Sequence, residues 1–434
     1  MPDTYVIVPG CSDLNRGDQA LAWETREIAQ DAGFVGKYAI VSETNEPVSQ
    51  TRRQGFDIIA PVLEHPSRLF KNKQNMEYTK ALKIKWGIVA IGDFLRSLLL
   101  LSPVTRGLGF ALANERNRAA FNTIKSAKAV FMKGGGLIQT YGGLSSTYSA
   151  YFWVFHMKLA ISLGIPVYIM PNSFGPFKGP FVKSIVKSLF KHCRLVTARE
   201  EFSQEMVHKD LGIDIPLFPD LAFYLKRPQR INKDDVTQQY NLPNNRKWVA
   251  ITARPYRFPG SENPEADYAH YQQSLIEFAK WLYANGYMPV FIEHTLAVNA
   301  HENDGACIRD IIQHLDPEQY RFISNPDLDC RDLKAIYSFC DYTVGTRFHS
   351  VIFSLSEGTP SIAISYVGNK ATGIMHDIGL PEYVLSIRDI SADSLKRRFS
   401  ELTENEGTVL KKVEDYKIRC AARRQQLIEL MQHA

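Results

Sequence analysis

Three segments in the C-terminal half each close a short apolar run with residues suited to anions or proton transfer. They are Ala253-Arg254-Pro255, Glu293-His294 and Gly345-Thr346-Arg347-Phe348-His349-Ser350. An arginine offers a planar fork of N–H donors that fits a carboxylate or phosphate bidentately. A histidine exchanges a proton near neutral pH. Taken singly, such an arginine reads as an ion-pair partner and such a histidine as a structural one. Three strand ends of the same chemistry predict more. Arg254, Glu293, His294, Arg347 and His349 are expected on one rim, holding a small molecule with several negative charges, where a histidine can act as general acid.

The N-terminal half carries weaker signals of the same kind. Asn15, Arg16, Gly17 and Asp18 lie where a loop turns into a helix expected to begin near Gln19. Gly17 allows close approach, and free N–H groups at a helix start favour an anion. Asp18 reads either as the helix N-cap or as a catalytic group. Lys133-Gly134-Gly135-Gly136 follows another apolar run; three glycines admit a ligand close to the backbone or simply make a turn. The string is neither G-x-G-x-x-G nor a Walker A loop, so it is weak evidence for a nucleotide. Pro171–Phe177 (PNSFGPF) offers Asn172 and Ser173 as hydrogen-bonding groups, with Pro176 expected to start the next element. Arg199 follows Leu195–Thr197 and reads as an ion-pair partner or an anion ligand.

The elements that must position these residues follow from periodicity. Short β-branched runs bounded by Gly, Pro or Asn predict strands covered on both faces. In the first half they are Tyr5–Pro9, Lys37–Val41, Ala129–Met132, Val167–Met170, Leu195–Thr197 and Leu217–Pro219. In the second they are Trp248–Thr252, Met288–Ile292, Tyr342–Val344 and Ser361–Ser365. Helical patterns lie between them, such as Tyr271–Asn285 with Gly286 as a stop, so the fold class is α/β with parallel sheets. The alternation restarts after a polar stretch. We therefore expect an N-terminal Rossmann-like domain at 1–225, a linker at 226–247, a second Rossmann-like domain at 248–393 and a helical segment at 394–434, whose many bases, interspersed with acids, read as a solvated face. Ligands in such sheets bind beyond the carboxyl ends of the strands, where the named residues sit.

A helical insertion at about 65–115 interrupts the first domain. Arg68, Lys71, Lys73, Lys80, Lys83 and Lys85 occur with only Glu77 opposing, and an apolar run from Trp86 to Val104 follows. Asp93 and Arg96 inside that run make it a poor spanning helix. Two readings stay open: an interfacial helix on an anionic membrane surface, or a buried helical hairpin.

Composition bounds the function. With 434 residues, 45% hydrophobic and 22% charged, the chain is globular rather than disordered or coiled-coil. A formal net charge of +5 without clustering on these motifs gives no footprint for nucleic acid. Cys11, Cys193, Cys307, Cys330, Cys340 and Cys420 form no CxxC pair and have no histidine at zinc-ligand spacing. They are expected as reduced thiols of a cytoplasmic protein, and MPDTYVIVPG reads as a first strand, not a signal peptide.

The strings NRGDQAL (Asn15–Leu21), KGGGLIQ (Lys133–Gln139), PNSFGPF, TARE (Thr197–Glu200), PDLAF (Pro219–Phe223) and above all GTRFHSVIFSLSEGTPSIAISY (Gly345–Tyr366) resemble the polysaccharide pyruvyl transferase family, bacterial exopolysaccharide and capsule type. PNSFGPF departs from the glutamine- or histidine-containing loop more usual there. The resemblance implies two Rossmann-like domains facing a cleft, the GT-B architecture. It implies transfer of pyruvate from phosphoenolpyruvate to a sugar as a cyclic ketal. Arg347, Arg254, Arg199, Thr346, His294 and Glu293 would then surround the donor, and His349 would protonate its methylene carbon. Asp18, Glu293 and His294 are candidates for the base. Asn15, Gly134, Gly135, Gly136, Asn172 and Ser173 would face the acceptor, a lipid-linked saccharide at the inner face of the bacterial membrane. Tyr141, Tyr148 and Trp153 read as sugar-stacking rings or as core. Phosphoenolpyruvate is a substrate, so no cofactor is implied. No Asp-x-Asp pair lies in a strand-end loop, and arginines serve to neutralise the donor, so no metal is expected. Two competing readings are a GT-B glycosyltransferase using a nucleotide sugar and a non-catalytic polysaccharide-assembly protein.

Overall fold

The apolar runs assemble into two parallel sheets, each belonging to its own compact unit. The computed structural model describes residues 2–10, 12–42, 46–63, 79–143, 145–296, 302–366, 368 and 370–434, apart from the side chain of Lys83. Cys11, Arg68, Lys71, Lys73 and Glu77 lie outside the described residues.

The first unit comprises residues 1–13, 21–221 and 423–434. Its strands are β1 (Thr4–Val8), β2 (Lys37–Val41), β3 (Phe56–Ile59), β4 (Ala129–Met132), β5 (Gly135–Tyr141), β6 (Val167–Lys178) and β7 (Leu195–Ala198). They run in the order β3-β2-β1-β4-β6-β5, with β7 also paired to β6. Alternate residues of β1 and β4 face opposite sides, yet Val6, Ile7, Val130 and Phe131 are all fully buried. Both faces are therefore covered, as a parallel sheet requires. On one face Phe131 packs against Phe34 and Tyr168, ring centroids 5.2 and 5.4 Å away. On the other, Val6, Val130, Met132, Phe155 and Ile169 join one apolar cluster. Each such side chain contributes roughly 1.5–3 kcal/mol by leaving water.

The second unit comprises residues 14–20 and 222–422. Its strands are β8 (Lys247–Thr252), β9 (Tyr287–Ile292), β10 (Arg321–Ile323), β11 (Tyr342–Gly345), β12 (Ser361–Ser365) and β13 (Val384–Ser386). Their order, β10-β9-β8-β11-β12-β13, is that of a doubly wound nucleotide-binding sheet. The winding reverses between β8 and β11, and in the first sheet between β1 and β4. Those are the two crevices where such sheets take ligands.

Several elements differ from the sequence reading for identifiable reasons. Of the three glycines after β4 only Gly134 lies in a bend, because Gly135 opens β5, which pairs in parallel with the far half of β6. Pro176 does not start a new element, since β6 continues to Lys178. Leu217–Pro219 forms one bridge to Ala198 rather than a strand; Pro216 and Pro219 have no N–H to extend a ladder. The polar stretch 226–247 contains the helix Lys233–Gln239, capped by the Asn232 side chain, which accepts from Asp235 N at 2.9 Å. β10 and β13, three residues each, are too short to show a pattern, and Asp57 interrupts the apolar run of β3. The C-terminal segment forms helices Ala392–Glu404 and Glu406–His433, whose apolar stripe, including Leu395, Phe399, Val413 and Leu427, is buried.

The most consequential difference concerns residues 14–20, which pack with the second unit although they follow the first strand of the first. Asn15 bridges Thr295 in antiparallel fashion, and Leu296 N donates to Leu14 O at 2.8 Å. Gln19 Oε1 accepts from Cys330 N at 2.8 Å, and Arg16 Nη2 donates to Pro326 O at 2.9 Å.

Candidate functional site in the second unit

The turn after β11 is shaped by Gly345. A Cβ there would lie 2.6 Å from Ser350 Oγ and 2.7 Å from Val351 Cγ2, so only glycine lets the helix Phe348–Ser356 follow so closely. Thr346 N and Arg347 N donate to Thr252 O and Thr252 Oγ1, both at 3.1 Å, which ties this turn to the end of β8. Thr346 Oγ1 lies 2.9 Å from the Tyr271 hydroxyl, which also accepts from Arg254 N at 3.3 Å. The Arg254 guanidinium stacks 4.1 Å above the Tyr366 ring.

Arg347 is 6% exposed and its fork is engaged by Asp304, which is fully buried. Nε and Nη2 donate to Asp304 Oδ1 at 2.9 and 2.7 Å. Asp304 Oδ2 accepts from Thr295 N at 2.9 Å, and Glu302 lies 3.6 Å from Nη1. Burial pushes the Asp304 carboxyl above the ordinary carboxylate range, while Arg347 pulls the other way. Arg347 thus carries a charge partly balanced within the protein, with its Nη1 edge directed away from Asp304.

His294 ends β9 and is 1% exposed. Its Nδ1 is 3.2 Å from the Tyr337 hydroxyl, and its Nε2 is buried with no hydrogen-bond partner. Burial holds its pKa well below the ordinary value, and the charges of Arg347, Arg16 and Lys370 push it the same way. His294 is therefore a neutral imidazole in a field of three cations. In the tautomer in which the Tyr337 hydroxyl donates to Nδ1, the proton sits on Nε2 and is presented as a donor. The neighbouring Glu293 is anchored instead: its carboxylate accepts from Gly305 N at 3.2 Å and from the Ser324 hydroxyl.

His349 lies at the N-terminus of the helix that β11 feeds. Lys370 Nζ stands 2.8 Å from its Nε2 and 3.4 Å from its Nδ1. Along the shorter contact one nitrogen donates and the other accepts, so the two groups are within proton-transfer distance. Gly17 packs directly on this ring; a Cβ at Gly17 would overlap it. The helix Arg16–Asp31 starts three residues earlier than expected, and its cap is Asn15, not Asp18. Asn15 Oδ1 accepts from Asp18 N at 3.2 Å, and Asn15 Nδ2 donates to Asp18 Oδ2 at 3.1 Å. That reciprocal pair fixes the Asp18 carboxylate at the first turn.

The second unit therefore gathers Arg254, Glu293, His294, Thr346, Arg347 and His349 with Asn15 and Asp18 from the chain's beginning. Sequence reasoning gave no part to Arg16, Asp304, Tyr366 or Lys370. Lys370 opens the helix after β12, so the strand-end rule applied to β12 would have found it. Asp304 has no such signal, since it begins the helix Asp304–Ile312, well past the end of β9.

The remaining named residues cluster in the first unit. Asn172 is fully buried; its Nδ2 donates to Lys133 O at 3.0 Å and Met170 O at 2.7 Å, while Oδ1 has no partner. Arg199 donates to Ser173 Oγ at 2.7 Å and Asp220 Oδ2 at 2.8 Å, with Glu200 at 3.6 Å. A Cβ on Gly136 would lie 3.1 Å from Arg199 Nη2, and one on Gly134 3.1 Å from Pro171 O. Gly135 is the first residue of β5. Of the aromatics, Tyr141 is 58% exposed at the end of β5, Tyr148 is half-buried, and Trp153 packs on the core with its ring 5.0 Å from that of Phe152.

Comparison with known proteins adds the family. The model of a family described as polysaccharide pyruvyl transferase matches residues 15–369. The amylovoran biosynthesis protein AmsJ of Erwinia amylovora is 25% identical over 290 residues, 65% of this chain and 67% of that protein. The fold resembles UDP-GlcNAc 2-epimerase from Neisseria meningitidis, at a TM-score of 0.55 and 12% identity over the whole of both chains. It also resembles Arabidopsis thaliana UGT89C1 complexed with UDP-L-rhamnose, at a TM-score of 0.56 and 10% identity over 99% of each. These likenesses establish two Rossmann-like units of the kind found in GT-B glycosyltransferases and epimerases. With the family match running from Asn15 through the His349 turn, the chain belongs to the polysaccharide pyruvyl transferase family.

Proposed function

We propose that this protein transfers the pyruvate unit of phosphoenolpyruvate to two hydroxyls of a sugar, forming a cyclic ketal and releasing phosphate. The observation that carries the reading is the surroundings of His294: a buried neutral imidazole with an unused Nε2, set among Arg16, Arg347 and Lys370. A donor with a carboxylate and a phosphate suits such a field, and arginines recognise both groups.

In this scheme the His349–Lys370 pair delivers its proton to the donor's methylene carbon, making a methyl group. The adjacent carbon takes on oxocarbenium character, stabilised by the nearby carboxylate. One sugar hydroxyl adds there; phosphate departs with the C–O electron pair; the second hydroxyl closes the ketal. The attacking hydroxyl's proton passes by way of Asp18 back to the pair, and the second hydroxyl's proton leaves with phosphate. Arg254, the Nη1 edge of Arg347, Thr346 and the His294 Nε2–H stabilise the departing phosphate. Asp18, held at its helix start by Asn15, is assigned as the base for the attacking hydroxyl. Glu293 is a framework residue in this reading, because Gly305 and Ser324 occupy its carboxylate. Arg199 and the Asn172–Ser173 turn, with Gly134, Gly135 and Gly136, are assigned to the acceptor side, and the acceptor to a lipid-linked saccharide in exopolysaccharide or capsule assembly at the cytoplasmic face of the membrane.

The test incubates purified protein with phosphoenolpyruvate and lipid-linked galactose-, glucose- and mannose-terminated acceptors. Phosphate release with a product heavier by one pyruvate ketal is expected, and it should persist in EDTA, since arginines rather than a metal neutralise the donor. His349→Ala should abolish it. Calorimetric binding of UDP but not phosphoenolpyruvate would replace this reading with a nucleotide-sugar transferase. Full function in cells carrying His349→Ala would replace it with a non-catalytic assembly role.

A further inference from the structure

The helix Lys80–Leu101 of the first unit is held by one face only. Phe94 packs edge-on against Tyr151, with ring centroids 4.8 Å apart. Ser97 Oγ lies 2.7 Å from the Tyr151 hydroxyl, and Leu100 is 1% exposed. Arg96 reaches Val62 O at 3.4 Å and pairs with Asp93 at 3.2 Å. The other face points away from the protein. It carries Ile84, Ile88, Ile91, Leu95 and Leu98, exposed by 65, 68, 63, 57 and 41%. At about 100° per residue these five fall within an arc of roughly 80°. The next segment adds Val104, Leu108 and Leu112, exposed by 93, 57 and 60%. A continuous apolar stripe of this length on the outside of a compact unit marks a contact surface.

The charges beside the stripe say what it contacts. Lys80 lies in line with the stripe, and Lys85 falls at about 100° to one side of Ile84. Lys80 and Lys85 are exposed. The helix's one acid, Asp93, is turned inward toward Arg96. A second copy docked in parallel along this stripe would set Lys80 of one copy against Lys85 of the other, two like charges. An anionic lipid surface instead accepts the apolar face among its acyl chains and the lysines among its headgroups. Among the described residues no helix is long and apolar enough to cross a membrane. We propose that the exposed Ile84–Leu98 stripe and its flanking lysines dock this protein on the surface of an anionic lipid bilayer, the helix lying in the plane. This stands on the helix alone and does not rest on the reaction proposed above.

The test is flotation with vesicles of phosphatidylcholine alone and of phosphatidylcholine with a quarter phosphatidylglycerol. The parent protein should float with the anionic vesicles, less so at high salt, and only weakly with the neutral ones. Ile88→Ser/Leu95→Ser, at positions exposed in the folded protein, should cut anionic binding by about tenfold or more with an unchanged circular dichroism melt. Lys80→Glu/Lys85→Glu should remove the preference for anionic vesicles. Failure of the parent to float, or flotation untouched by both variants, overturns the proposal. Light scattering that finds a dimer dispersed by Ile88→Ser/Leu95→Ser, without vesicle binding by the parent, assigns the stripe to a second copy and also overturns it.

Discussion

Replacing Asp304 by Asn tests how the second unit holds Arg347 in place. The side chain keeps its shape and loses its charge. Arg347, 6% exposed, then remains a buried cation without its bidentate partner. The amide also cannot serve both sides, since Thr295 N donates to the same carboxylate and would meet either an oxygen or an NH₂ group. Removing one partner of a buried ion pair costs about 3–5 kcal/mol. Glu302, 3.6 Å from Nη1, partly replaces the lost charge, which places the effect at the lower end, about 3 kcal/mol. At roughly 2–4 °C per kcal/mol, a unit of this size should melt about 6–12 °C lower. The assay is thermal unfolding followed by circular dichroism, with urea titration to separate stability from cooperativity. Asp304→Leu/Arg347→Met, which removes both charges, should recover most of the loss. A melt of Asp304→Asn within about 1 °C of the parent, or a double variant less stable than the single, would refute the view that this pair organises the turn.

His156 gives a pH dependence of defined sign. It is 8% exposed in the first unit, its Nε2 accepts from Val62 N at 3.0 Å, and burial pulls its pKa from 6.5 to about 4. The folded state therefore favours the neutral ring. Its contribution is complete above pH 6.5 and declines as pH falls toward 4, by about 3 kcal/mol in all. Urea unfolding at pH 7.5 and 4.5 should show this slope in the parent and a flatter one in His156→Gln; equal slopes would remove the assignment. Gly17→Ala places a methyl group where the His349 ring lies. We expect phosphate release from phosphoenolpyruvate to fall about 100-fold, as misplacement of a reacting group does, with a melting temperature near that of the parent because alanine favours the helix. Full activity in Gly17→Ala would mean the helix start does not position His349.

Much of the fold was legible because its cause is local. Buried parallel strands need unbroken β-branched runs, and β2, β4 and β12 lie where those runs do. The strand-end rule then named Arg254, His294, Arg347 and His349 from their positions alone. Where local signals compete, the reading missed. Gly135 and Gly136 looked like a turn, but a neighbouring strand was available to pair with them. Asp18 looked like a cap, yet the residue with cap geometry is Asn15, three positions earlier.

By itself the sequence determined which runs become strands and that the winding occurs twice. These depend on propensity and period over a few residues. Only the tertiary structure decided that Asp304 answers Arg347, that Lys370 stands at hydrogen-bond distance from His349, that residues 14–20 join the second unit, and which side of the Lys80–Leu101 helix Tyr151 covers. Each of those is a pairing between groups far apart along the chain. Its energy exists only after the backbone has brought them together, so no local pattern records it.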